Sequence, residues 1–265
     1  MDSTMATATA TPPATKRFFT DDFRNLVSPP NGGYWFHNMP LPDGDRIAGA
    51  NPDRAREQKL WRSTVDALGL DLRGKRVLDI GANDGIFTIA SLLRGADHVT
   101  AINPGDMYMG TYPHNLKMAC EWWDVQPEVM TGDFVTAPLP NGSYDIILFY
   151  GVLYHLKNVF AAFQKLRDLL APGGVVLMET QVTTVVHPRP IFELASDLMP
   201  TTVPQFKALV GSCGSSNFLM PNDAALMCLA DTYGLQLEFP NPRTNEYEQS
   251  PGLSTRRIGF LRAKS

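Results

Sequence analysis

Between residues 75 and 178 the chain alternates short apolar runs with longer amphipathic ones, and no other feature limits its fold as tightly. The runs 75–80, 98–102, 128–130, 145–149 and 175–178 each read as a strand, and 85–93, 108–124 and 158–170 as helices. The last helix carries Val159, Phe160, Phe163, Leu166 and Leu170 at helical spacing. Strands this short and apolar are buried on both faces, which asks for a parallel sheet covered by helices on each side. Pro172-Gly173-Gly174 reads as the turn before the fifth strand. Further on, 235–239 and 257–262 read as two strands joined too closely for a helical crossover, so they pair antiparallel. The expected fold is α/β, a mostly parallel seven-stranded sheet ending in an antiparallel hairpin.

Around this core lie segments of another character. Residues 1–17 are Ala/Thr/Pro-rich and offer little to pack, which predicts a disordered tail. Residues 18–50 mix Pro and Gly with Trp35, Phe36 and His37, and read as loop without regular elements. Asn51 or Asp53 then caps a helix over 53–69 that Gly69 ends. Residues 183–220 break the alternation with several prolines and glycines and carry Phe192, Met199, Phe206 and Phe218. They read as an insertion with one or two short helices, after which Pro221 opens a helix to Tyr233. The division expected is one domain over 18–265, with 18–70 and 183–220 as lid segments.

Bulk properties narrow the function. Three scattered cysteines, Cys120, Cys213 and Cys228, lack metal-ligand spacing and fit a reducing, cytoplasmic setting without a bound metal. The formal net charge is −4 and no Lys/Arg run exceeds two residues, as at Arg256-Arg257. Nucleic-acid binding draws most of its affinity from phosphate contacts, so this balance weighs against RNA without excluding it. No apolar stretch is long enough for a secretory signal or a membrane span.

The chemistry concentrates in Val77-Leu-Asp-Ile-Gly-Ala-Asn-Asp-Gly85, where a strand ends, a tight turn comes next and a helix begins. Gly81 lets a ligand approach the backbone, and the helix start offers free N–H groups. The dinucleotide pattern G-x-G-x-x-G is absent. Asp79 at the strand end would repel a pyrophosphate. It suits an ammonium beside a carboxylate, as in the methionine end of S-adenosylmethionine.

Asp79-Ile-Gly-Ala-Asn-Asp-Gly85 resembles motif I of class I S-adenosylmethionine-dependent methyltransferases, with Asn83 in place of the middle glycine. Asn tolerates left-handed geometry better than most residues. The resemblance implies a Rossmann-like methyltransferase fold and assigns Asp79, Gly81, Ala82, Asn83, Gly85, Asn103, Pro104, Asp133, Phe134 and Tyr150 to the cofactor. Asn103 stands where the family has an acid for the ribose, with Asp106 as a possible substitute. Asp133 would accept from the adenine amino group and Phe134 would cover the ring.

Phe149-Tyr-Gly-Val-Leu-Tyr-His155 and Leu170-Ala-Pro-Gly-Gly-Val-Val-Leu-Met-Glu-Thr180 are similar to the tRNA wobble-uridine carboxymethyltransferases and their uncharacterised relatives. So is Trp35-Phe-His37 with Pro42-Asp-Gly44, and more faintly Asn217-Phe-Leu-Met-Pro221. That family's RNA member carries a basic N-terminal extension, not read here, and uses a carboxylated cofactor; Arg46 lies in about the place of a cation for the extra carboxylate.

For the acceptor, open α/β sheets bind ligands beyond the carboxyl ends of their strands. There stand Tyr150, Tyr154 and His155 after the fourth strand, and Glu179 and Gln181 at the fifth. His155 has the intrinsic basicity of a general base near neutrality, or else hydrogen-bonds the start of the next helix or orients Tyr154. Glu179 binds a cationic substrate, takes a proton, helps hold a metal, or bonds only to backbone. Catalytic candidates are His155, Glu179 and Tyr154. His37 and His187 read more readily as surface histidines. Trp35, Phe36, His37, Tyr112, Gln181, Phe192 and Phe206, among aromatics that include Tyr108, Trp122 and Trp123, are expected to form an acceptor pocket closed by the two lids. The function expected is methyl transfer to a small molecule. The rivals are a tRNA wobble-uridine enzyme and a methyltransferase fold put to another use.

Overall fold

The computed structural model describes residues 18–19, 23–30, 33–50, 53, 55–105, 111–183, 187–194, 218–240 and 254–264. Five strands alternate with helices as the pattern requires: β3 (Arg76–Ile80), β4 (His98–Asn103), β5 (Glu128–Thr131), β6 (Tyr144–Tyr150) and β7 (Leu170–Thr183). With β10 (Leu235–Glu238) and β11 (Ser254–Ala263) they make a seven-stranded sheet in the order β10-β11-β7-β6-β3-β4-β5. β3 through β7 pair parallel, while β11 runs antiparallel to both β7 and β10.

The two faces of the sheet bury two clusters, and the period of two along each strand decides which residue joins which. Val77, Val99, Ala101, Ile146, Leu148, Val175 and Leu177 face one cluster. Leu78, Ile80, Ile102, Ile147, Phe149, Val176 and Met178 face the other. The first face is covered by α1 (Arg56–Trp61), α2 (Ile86–Leu93), α3 (His114–Trp122) and the segment around Trp35 and Met39. The second is covered by α4 (Val159–Leu169) and α5 (Asp223–Thr232). The same parity carries Asp79, Asn103, Tyr150, Glu179 and Arg256 onto the first face, toward one end of the sheet.

Several expectations change. Residues 18–50 do form a regular pair, β1 (Leu26–Val27) parallel to β2 (Arg46–Ile47). The helix expected over 53–69 is the short α1 followed by a π-turn over Arg62–Asp66; Asp53 Oδ1 accepts from Ala55 N ahead of it. The expected turn at Pro172-Gly-Gly174 lies inside β7. Leu170 pairs with Tyr144, and the register resumes at Ile146–Val175. The extra residues bulge out there, with Gly173 at φ 75°. Pro221 ends β9 (Leu219–Pro221), which pairs with β8 (Phe192–Leu194), and Asn222 caps α5 instead. Most of the 183–220 insertion, with Met199 and Phe206, lies outside the described residues, as do Asp106 and Tyr108. Among the described residues no helix is long and apolar enough to cross a membrane.

Asn222 is 1% exposed and its amide is fully used. Oδ1 accepts from Ala225 N and Ile191 N, and Nδ2 donates to the carbonyls of His187 and Arg189. Asn158 caps α4 by one exposed bond to Ala161 N. Asn158→Ala should therefore cost about 1 kcal/mol, as an ordinary lost cap. Asn222→Ala should cost about 3 kcal/mol, because it strands buried backbone groups besides. Urea unfolding of the two variants checks the ratio.

Candidate active site

The loop after β3 turns because three of its residues accept left-handed backbone: Gly81 (φ 77°), Asn83 (φ 50°) and Gly85 (φ 85°). A side chain at Gly81 would bring its Cβ within 2.6 Å of Val152 Cγ2, so only glycine leaves the loop this close to the β6 end. Asn83 is the tolerated substitute that its residue type suggests.

This loop, the ends of β4 and β6 and the turn after β5 enclose a cavity of about 490 Å³. Of the residues assigned to the cofactor, Asp79, Gly81, Asn83, Asn103, Pro104, Asp133, Phe134 and Tyr150 line it; Ala82 and Gly85 shape the loop behind. Asp79 is 3% exposed and accepts from Thr88 Oγ1 at 2.6 Å. Burial pushes its carboxyl up to about 6, against the opposing pull of the Thr88 bond and of His37 nearby. Asn103 donates to the Pro104 carbonyl at 3.2 Å. Asp133 accepts from Val135 N at 2.9 Å, which orders the turn that carries Phe134. Phe134 packs edge-on against Phe149.

These features fit the methionine and adenosine parts of the expected cofactor. A buried carboxylate with a raised pKa is the natural partner of an ammonium. A wall that a Cβ at Gly81 would obstruct lies beside it, and an acid with a flanking aromatic ring stands further along the cavity.

The remaining predicted residues divide. Phe36, His37, Tyr154 and His155 line the cavity. Trp35 and Tyr112 do not: Trp35 stacks on Trp122 in the core, and Tyr112 donates to the carbonyls of Ala101 and Met130. Both are large apolar bodies whose burial outweighs exposure at a pocket mouth. Trp123 likewise packs on Phe18 and donates to the Pro40 carbonyl. Gln181 pairs across the sheet with Arg256, and Phe192 packs against the second core; neither reaches the cavity. His187 accepts from Arg189 N in a turn that Asn222 also holds. Arg46 is buried with its guanidinium over the Phe23 ring, so it is no cation for this cavity.

Glu179 is the main correction. It lies behind the wall, not in it, and is 4% exposed. Arg256 Nη1 donates to both its oxygens at 3.1 Å and to Tyr154 Oη at 3.1 Å, while Arg56 Nη2 stands 3.6 Å away. Its carboxylate is taken up by these two guanidiniums and does not face the cavity. Tyr154 and Tyr150 keep their protons, since burial raises both pKa values. Tyr150 exchanges a 2.7 Å hydrogen bond with Thr64. Among the predicted catalytic groups His155, whose ring packs on Tyr154, is left as the base candidate.

Sequence reasoning missed Asp84, Arg56 and Arg256, while Phe218 of the expected lid does line the cavity. Asp84 Oδ2 accepts from the backbone of Phe36 (2.7 Å) and His37 (2.8 Å), binding the N-terminal segment to the loop. Arg56 and Phe218 line the cavity from segments far apart in the chain. A signal existed only for Asp84, an acid inside the motif with no assigned task. Glu179→Gln should destabilise the protein by about 3 kcal/mol, since it leaves two guanidiniums without their anion. A variant that melts like the wild type but loses turnover would return Glu179 to catalysis.

A family model described as a methyltransferase domain matches residues 53–209, more than half of the chain. The tRNA U34 carboxymethyltransferase of Idiomarina loihiensis is 30% identical over 133 residues, which are 48% of this chain and 41% of that protein. The chain thus spans less than half the length of such curated relatives. Among solved structures, a methyltransferase of Mesorhizobium loti superposes with a TM-score of 0.53 at 16% identity, covering 77% of this chain and 97% of that one. The 1,6-didemethyltoxoflavin-N1-methyltransferase of Burkholderia thailandensis, solved with its substrate and S-adenosylhomocysteine, gives 0.55 at 17% identity, covering 80% of each. The sheet order, the loop after β3 and the family match agree: the chain belongs to the methyltransferase-domain family.

Proposed function

We propose that the chain moves a methyl group from S-adenosylmethionine to a small-molecule acceptor in the cytoplasm. The observation that carries this reading is the cavity itself. Its volume falls within the ~300–1,000 Å³ of small-molecule sites. Phe36, Leu60, Phe87, Tyr154 and Phe218 wall the part beyond the cofactor loop. The acceptor would lie among these rings.

Bound there, the cofactor supplies a methyl group already activated by its sulfonium. The chain's task is then alignment and exclusion of water. Asp79 holds the ammonium, Asn103 a ribose hydroxyl, and Asp133 with Phe134 the adenine. Tyr154, still protonated, lines the reacting region as a hydrogen-bond donor, and Tyr150, whose hydroxyl is bound to Thr64, lines it with its ring. His155 takes the acceptor's proton where the acceptor has one to lose. Phe36 and His37 from one lid and Phe218 from the other cover the cavity.

A second reading, a tRNA wobble-uridine acceptor, is favoured by the names of the curated relatives. Incubation of the protein with methyl-labelled cofactor and a cell extract separates the two. Label in the low-mass fraction supports the proposal; label in tRNA replaces it.

Asp79 gives a further test. Its pKa near 6 in the free protein means that the ionised form needed for an ammonium disappears as pH falls. Affinity for S-adenosylhomocysteine should be level above pH 7 and fall by up to tenfold per unit below about 6. Stability runs the other way. Because folding raises this pKa, the protonated carboxyl favours the fold at low pH, and that contribution is lost as pH rises through about 6. Asp79→Asn should stabilise the ligand-free protein by on the order of 2 kcal/mol at pH 7.5. The gain should shrink toward zero near pH 4, and cofactor binding should be lost. Melting curves and calorimetry at three pH values measure both.

A further inference from the structure

The charges that border the cavity are divided along the sheet. Its two acids stand at the cofactor end, Asp79 on β3 and Asp133 in the turn after β5. On the other side of β3, where β6 and β7 end, the lining charge is that of Arg56. Lys157 lines the cavity as well, but its ammonium is spent on the Phe218 ring, 5.1 Å from the centroid. Arg56 stands on α1 one turn before Leu60, so the two share a helix face, and both line the cavity. The Arg56 side chain is 22% exposed, enough for a ligand to reach it. Among the described residues its guanidinium has an ion pair to Glu179 at 3.6 Å, beyond hydrogen-bond reach, and no hydrogen bond.

Glu179 is already matched without it, because Arg256 Nη1 donates to both of its oxygens. Tyr154 stays protonated and adds no charge. One carboxylate against two guanidiniums leaves this cluster with a surplus positive charge. Arg256 and Glu179 stand behind the cavity wall; Arg56 and Tyr154 are part of it. Between them lies Gly151, where a Cβ would stand 3.3 Å from Tyr154 Oη, 3.8 Å from Glu179 Oε2 and 4.0 Å from Arg56 Nη2. Bare backbone is thus all that fills the wall at this point. A surplus charge held largely away from water is costly unless an anion completes it. Tyr154 Oη accepts from Arg256 and keeps its own proton for a further acceptor.

We infer that the methyl acceptor is a small aromatic acid, whose carboxylate is held by Arg56 with help from the Tyr154 hydroxyl. This rests on the proposed small-molecule reading and names its substrate class. The planar guanidinium fork matches a carboxylate. One surplus charge calls for one negative charge, whereas a phosphate monoester would bring nearly two. The body of the acid meets apolar surface directly beside the cation: Leu60 on the same face of α1, and the rings of Phe36, Phe87 and Phe218. The site is separate from the ends of β3 and β4, where Asp79 and Asn103 stand, so it is no part of the hold on the cofactor's amino-acid end. Arg56 and Tyr154 thereby orient the acceptor, and Arg256 is a positioning residue that frees Arg56 by neutralising Glu179.

Calorimetry on the protein saturated with S-adenosylhomocysteine tests this, with benzoate, phenylacetate and 3-phenylpropionate set against their primary amides. The amides keep the shape and lose the charge. S-adenosylhomocysteine has no carbon to transfer, so an acid bound in its presence occupies the acceptor's place. At least one acid should bind about tenfold more tightly than its amide, the scale of a charged hydrogen bond. Arg56→Gln should abolish that preference by weakening the acid alone. Its affinity for S-adenosylhomocysteine should stay within about twofold of wild type, which shows that the cavity still forms. Arg56→Lys keeps the charge without the fork; it should retain part of the preference, and it guards against a misfolded Gln variant. Acids that bind no better than their amides, a preference that survives Arg56→Gln, or a panel that does not bind at all would overturn the assignment. Each of these leaves the small-molecule reading standing. That reading falls if the methyl label enters tRNA, and this inference falls with it.

Discussion

The arrangement depends first on a carboxylate that does no chemistry, that of Asp84. One oxygen gathers two backbone N–H groups from a segment almost fifty residues earlier. Asn115 adds to it, donating to the Tyr34 carbonyl at 2.7 Å and approaching Asp84 Oδ1 at 3.5 Å. Charge-assisted bonds of this kind are roughly twice as strong as neutral ones, and burial at 1% exposure shields them from water. Beside them the Pro- and Gly-rich segment is held by the two-residue pairing of β1 with β2, by Trp123 donating to the Pro40 carbonyl and by the burial of Trp35, Met39 and Ile47. With them, one face of the sheet gains a cover and the cavity gains a wall.

A second carboxylate network secures the opposite side. Glu179 joins Arg56 from α1 to Arg256 from β11, and Arg256 lies over the Tyr154 ring at 5.1 Å. Tyr154 is thereby fixed where the cavity needs a rigid aromatic wall. Ionic and aromatic contacts replace apolar packing at the one edge of the sheet that a ligand must reach. The cavity sits between these two clamps, and each binds a distant piece of chain to the sheet end.

Much of the sheet could be read from residue order, because period-two burial and short apolar runs are local signals. Val77, Leu78 and Ile80 announce β3 by themselves, and the turn chemistry of Gly81, Asn83 and Gly85 announces the loop and the start of α2. The bulge inside β7 was hidden, since Pro172-Gly-Gly174 has the chemistry of a turn and only the pairing of Leu170 with Tyr144 makes it strand. Pro221 misled for a similar reason: proline favours helix starts, but the buried amide of Asn222 outweighs that preference. At the site, Asp79 and Asp133 were legible from their places at strand ends. Trp35 and Tyr112 were not, because an aromatic in a loop looks the same whether it stacks on Trp122 or on a ligand. The roles of Asp84, Arg56 and Arg256 arise from contacts between residues far apart in sequence, which no local pattern encodes.

The position of β11 bears on how such a chain matures on the ribosome. The last strand of the described residues does not add to an edge; it lies between β7 and β10. Until it emerges, β7 offers an unpaired edge, a surface on which nascent chains stick to one another. Arg256 arrives with that same strand, so until then Glu179 has only Arg56 as a counter-ion and Tyr154 lacks its cation. Synthesis that stalled even a few residues short of β11 would leave β7 with an exposed edge and Tyr154 without the cation that fixes it. Quality control that recognises open strand edges would see the defect before any assay of turnover could.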